Sequence, residues 1–232
     1  MKLHKLVFLP HLLCYNNNKL EDNSLWLGYN YNNKNLKRWG DHDMARRKTI
    51  TKDQVLNAAY SLVSTEGFDK FTARNIAQRM KCSTQPIYLE FENMEDLRTQ
   101  VLEMIKKHLV HDVFSKEITG NLLYDIILNY IEFARNERVM YRAIYIEENL
   151  DPESLNRFNF DVFMKHMSRD EEFNKLTPDK QNNLFISTWI LATGVATLNA
   201  SGLYRPSREQ IMMLVDEVRQ MSFESNINFE IK

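Results

Sequence analysis

Cysteine is scarce: Cys14 and Cys82 are the two in 232 residues. Two such distant thiols make neither a disulfide framework nor a zinc-ligand spacing. No run of about 18 apolar residues is present, so no segment is expected to span a membrane. A Gly-rich phosphate loop, a nucleophile elbow and a zinc signature are all missing, so neither an enzyme nor a cofactor site is expected. Strand signals are few. What remains is 44% hydrophobic and 26% charged, the composition of a soluble globular protein with ample chain for a core.

Charge is unevenly placed. The net charge is −1, but residues 44–110 hold 11 Lys and Arg against 8 Asp and Glu, while 111–232 hold 13 against 19. A basic part and an acidic part are expected where only one of them meets phosphate, although chance scatter of surface charge gives the same small excess.

The basic part contains the most informative stretch, Phe71 to Phe91. It reads as two short helices and a tight turn. Thr72 is placed as N-cap of the first, about 72–80, with Phe71 and Ile76 as its hydrophobic staple. Ser83 is placed as N-cap of the second, with Pro86 in the first turn where a missing N–H costs little. Lys81, Cys82 and Ser83 form the turn, with Lys81 where such turns often carry Gly. Ile76, Ala77, Met80, Ile87 and Phe91 face a small core, leaving Thr84, Gln85 and Tyr88 outward. In a helix-turn-helix those outward residues meet base edges and phosphates in the major groove. A two-helix corner in an ordinary helical protein shares the pattern.

Residues 1–43 differ from the rest, with eight asparagines and a short apolar run broken by Pro10 and His11. They lack a cleavage site for a signal peptide and read as a poorly ordered extension, dispensable for DNA binding, ahead of a natural start at Met44. From Met44 a basic arm, Arg46, Arg47 and Lys48, leads into a helix with a Thr51–Gln54 capping box and an Ile50–Val55 staple. Val55, Ala58, Ala59, Leu62 and Val63 recur at helical spacing until Gly67 stops the helix. Asn93 caps a further helix with Leu97, Val101, Met104, Ile105 and Leu109 along one face.

This succession resembles the DNA-binding domain of TetR/AcrR-type transcriptional regulators. The resemblance rests on the basic arm, Glu66-Gly67-Phe68, Phe71 to Ala77, Ser83 to Tyr88, Phe91 and the cap at Asn93. It implies an all-α fold: an N-terminal three-helix helix-turn-helix domain, 44–92, and a C-terminal helical ligand-binding and dimerisation domain, 93–232. It implies a cytoplasmic bacterial repressor, a homodimer on a double-stranded palindromic operator, released by a small-molecule effector. Arg74, Thr84, Gln85 and Tyr88 match the family's DNA-contacting positions, and Thr72 joins them in the candidate set. Met94 stands where the family often has a phosphate-contacting Lys, so Lys81 or the Arg46–Lys48 arm is expected to supply backbone affinity. Pairing of Arg74 with Glu90 or Glu92 is the alternative to DNA contact. A helical protein–protein adaptor is the alternative to the regulator.

Further helices are expected at 119–136, 137–148, 152–172, 178–201 and 208–225, with breaks at Asp151-Pro152, Thr177-Pro178 and 202–206. The 178–201 helix is apolar over much of its surface, which suits a core helix or a subunit interface. The resemblance favours the interface, with Trp189, Gly194, Leu198, Met212 and Val215 as candidates. Tyr141, Tyr145, Phe158, Phe160, Phe163, Met164, Met167 and Trp189 are candidate effector-pocket walls, or else plain core. His108 and His111 are spaced to share a helix face and could hold a metal with Asp112, but histidines near a helix C-terminus more often answer its dipole, and no metal is expected.

Overall fold

Most of the described helices are opened by a residue whose side chain satisfies the first backbone N–H groups. In the computed structural model, which describes residues 50–147 and 151–224, there are ten α-helices and no strand among the described residues. The described residues all belong to one compact unit. The expectations for 1–43 and for Arg46, Arg47 and Lys48 lie outside the described residues.

The head is built from α1 (Lys52–Glu66), α2 (Ala73–Arg79) and α3 (Gln85–Glu90). The Thr51–Gln54 capping box is complete, with Gln54 N donating to Thr51 Oγ1 and Thr51 N to Gln54 Oε1. Such a cap is worth about 1 kcal/mol. Gly67 ends α1 at φ 81°, ψ 177°, a conformation essentially restricted to glycine, with its N–H on Val63 O. Val55, Ala59, Leu62 and Val63 are buried and meet Ile76, Ala77, Ile87 and Phe91.

α4 (Met94–His108) starts at Asn93, whose Oδ1 accepts from Glu95 N and Asp96 N. Its C-terminus passes into a π-turn, Leu109–Val113, closed by Phe114 N on Leu109 O at 2.8 Å. α5 (Leu122–Asn136) and α6 (Arg138–Tyr145) follow. α6 packs on α1, so the head and the C-terminal helices share one contiguous core.

The expected 152–172 helix is two helices, α7 (Pro152–Met167) and α8 (Glu171–Asn174). Asp170 divides them, because its carboxylate accepts from Glu172 N and Phe173 N and caps α8. α9 (Pro178–Ser201) has the expected limits, from Thr177 and Pro178 to Gly202 in the left-handed conformation. α10 (Arg208–Glu224) begins with a Ser207–Gln210 box.

α9 bears on the expectation that no segment spans a membrane. Its mean hydropathy of 1.4 over 18 residues suffices by length and composition. It packs against α5 and α10 through Leu184, Phe185, Ala192, Val195 and Ala196, the behaviour of a core helix.

Candidate nucleic-acid interface

The α2–α3 corner is held from behind. Arg79 donates to Ser61 Oγ at 2.7 Å and Thr65 Oγ1 at 2.8 Å and pairs with Glu66, tying α2 to α1. Lys81 turns the chain at φ 55°, the one non-glycine residue with positive φ among the described residues. Cys82 N then reaches back to Ala77 O at 3.0 Å. Cys82 is half-buried against the core, as its staple position suggests.

Ser83 does not cap α3. The helix starts one residue later, with Thr84 in the capping position but no side-chain cap bond. Pro86 lies in the first turn, which lowers the number of N–H groups that need a partner. Thr72 does cap α2, its Oγ1 accepting from Asn75 N at 3.2 Å.

Arg74, Lys81, Thr84, Gln85 and Tyr88 are all exposed, Tyr88 to 56%. Arg74 makes no ion pair or hydrogen bond among the described residues, in contrast to Arg79 one turn on. Met94 is half-buried against the core. Leu89, absent from the expected set, is 70% exposed beside Tyr88. Its position was readable: with Ile87 and Phe91 turned inward four residues apart, the residue midway between them must point away.

Further along, a cavity of about 30 Å³ lies among α5, α7 and α9. Phe163 and Trp189 of the expected walls line it, with Phe114, Tyr130, Asn159 and Phe185 beside them. Tyr141 and Tyr145 instead pack edge-on against Tyr130, at 5.8 and 5.3 Å between ring centroids. Burial pushes the Tyr130 and Tyr145 phenols well above their usual range, and neighbouring tyrosines add to it, Tyr145 and Tyr141 for Tyr130 and Tyr141 for Tyr145. Phe160 packs on Phe185 at 5.3 Å. Met164 is half-buried at the core. Phe158 belongs to a separate polar groove with Lys106, Asp151 and Arg157, and Met167 to another recess near Phe173 and Leu184.

α9 and α10, which pack together, each carry exposed apolar residues. Ile190 (60%) and Leu198 stand on one side of α9 with Gly194 between them, and Met213 (68%), Leu214 and Met221 are exposed on α10. Two expected interface residues are not among them. Val215 is fully buried within the chain, and Trp189 is turned inward against Phe185 and Tyr130. Met212 is half-buried.

His108 takes Asp112 at 3.0 Å and Glu137 at 2.9 Å, whereas His111 is exposed. No metal-holding group of three or more His, Cys, Asp or Glu occurs among the described residues.

Residues 55–101 match the family model for bacterial regulatory proteins of the tetR family. No curated protein matches the chain in sequence. A candidate TetR-family transcriptional regulator from Vibrio parahaemolyticus is similar in structure, with a TM-score of 0.52, 18% identity, and coverage of 73% of this chain and 96% of that one. A candidate transcriptional regulator from Streptomyces coelicolor A3(2), SCO7518, aligns with a TM-score of 0.51, 18% identity, and coverage of 72% and 97%. At such identities the likeness speaks for the fold. The match to the tetR family model thus lies on the helix-turn-helix itself, inside an all-helical fold like that of these regulators.

Proposed function

We propose that this regulator is a cytoplasmic homodimeric repressor, released from a palindromic operator when a small molecule enters the helical domain. The observation that carries the reading is the exposed α2–α3 face, where Arg74 has no protein partner among the described residues beside exposed Thr84, Gln85 and Tyr88. A cation kept out of ion pairs on a surface is available to phosphate or to guanine O6 and N7. Lys81 adds a second cation at the same corner, and the Arg46–Lys48 arm a third source of backbone affinity.

The homodimer is supported by the exposed apolar residues of α9 and α10. Two packed helices with exposed apolar residues suit a four-helix bundle with their symmetry mates, and a two-fold axis suits a palindrome. Two heads would meet half-sites about 34–36 Å apart. The effector reading is supported by the aromatic cavity among α5, α7 and α9.

Genomic footprinting followed by a titrated gel shift tests the whole. A palindrome should be enriched, and its affinity should fall steeply with salt as counterions are released. Enrichment of no palindrome, or salt-independent binding, would favour a helical adaptor instead.

A further inference from the structure

The cavity among α5, α7 and α9 says more than that something binds. None of its described lining residues carries an ionised side chain. Phe114, Tyr130, Phe163, Phe185 and Trp189 supply most of the wall, and Phe185 and Trp189 stack with 26° between their planes, 6.1 Å apart. These two rings stack on each other and present an aromatic wall against which a further flat ring can pack in the favoured offset or edge-on arrangement.

The polar atoms of the wall are few and mostly engaged. Thr188 Oγ1 donates to Leu184 O at 2.6 Å. Tyr145 donates to Asn159 Oδ1 at 3.0 Å, so the amide N–H groups of Asn159 are the donors left to the cavity. Asn159 is itself buried. With a volume of about 30 Å³, the space is too small for an aromatic molecule as it stands, so such a ligand must part α7 from α9. An ionised ligand would enter without a counter-charge, and desolvation of an unpaired charge is heavily penalised.

Resting on the effector reading above, we infer that the ligand of this cavity is an uncharged aromatic molecule carrying one hydrogen-bond acceptor, held by the Asn159 amide. Ring stacking supplies the affinity, and the acceptor fixes orientation.

Three probes of nearly equal size separate the parts: acetophenone, ethylbenzene, which lacks the acceptor, and benzoate, which is ionised at neutral pH. Binding to the full chain is read by Trp fluorescence, with Trp189→Phe to assign the signal, and by thermal shift. Acetophenone should bind at least tenfold tighter than benzoate and several-fold tighter than ethylbenzene. Asn159→Leu should abolish the second difference; if that variant fails to fold, the three probes on the unaltered chain still decide. Equal or tighter binding of benzoate, or no saturable binding of either neutral probe at millimolar concentration, overturns the inference. Equal binding of ethylbenzene overturns the role of Asn159. Acetophenone that binds without changing operator affinity would remove the effector reading while leaving the ligand class intact. Benzoate that binds better and releases DNA would do the reverse.

Discussion

His108 Nε2 lies 2.9 Å from Glu137 Oε2, while its Nδ1 lies 3.0 Å from Asp112 Oδ2. One imidazole therefore joins the C-terminus of α4 to the start of α6, the helix that packs on α1. Glu137→Gln should cost less than about 1 kcal/mol in stability, because the pair is only partly buried. Its larger effect should be on coupling. A ligand that shifts the C-terminal helices should change operator affinity less in the variant, as measured by gel shift with and without ligand. Unchanged coupling would make the bond a local clip.

Gly194→Leu tests the dimer with little risk to the fold. A Cβ at Gly194 would meet nothing within 4 Å, so the monomer accepts the larger residue. Close approach of a second copy would not. Sedimentation should show a folded monomer of unchanged helicity, and operator affinity should collapse with the loss of one reading head. An unchanged dimer would place the interface elsewhere.

The head should read sequence and grip the backbone through different side chains. Arg74→Ala should lose about 1–3 kcal/mol at one guanine in each half-site. Tyr88→Phe should weaken all sequences more evenly. Leu89→Ala should reduce preference for a thymine, whose methyl group is the apolar feature of the major groove. Competition against operators with single base changes separates the three. Equal losses on operator and random DNA for Arg74→Ala would make it a phosphate contact.

These expectations differ in how legible they were. α9 was readable to the residue because Thr177, Pro178 and Gly202 punctuate it. The inward phase of Trp189 was not, since a helix apolar on nearly every side has no contrast from which to read which face is which. Val215 was misplaced for a related reason: on α10 the residues exposed at 213, 214 and 221 are as apolar as the buried ones. The α7–α8 break was hidden because Asp170 sits in a stretch whose apolar spacing continues across it. Ser83 and Thr84 are adjacent hydroxyls, and nothing in their chemistry decides which of them precedes the helix. Leu89 was passed over because an aliphatic residue is assigned to a core by default, although its spacing from Ile87 and Phe91 excludes it.

His166 gives the fold a defined pH dependence. Its Nε2 donates to Leu122 O at 2.9 Å, and Arg169 donates to its Nδ1 at 3.1 Å, so both nitrogens suit the neutral ring. Burial holds its pKa below the ordinary 6.5, and the Arg169 cation adds to that. The unfolded chain therefore binds the proton more readily. The contribution is fully present above about pH 6.5 and declines as pH falls through that value towards the lower folded pKa. The Tm should fall from pH 7 to pH 5, and His166→Gln, which keeps a donor for Leu122 O, should flatten that part of the slope.

Lys81 has a consequence for the history of such a head. A lysine held at φ 55° stores backbone strain of about 1–2 kcal/mol that glycine would not. The corner is thus less stable than this backbone permits, and a selection for heat resistance alone would discard the lysine. Where a glycine would give ease, the lysine gives a cation at the edge of the reading face. Persistence of the costlier residue would mark the turn as a place where robustness is traded for adhesion to nucleic acid.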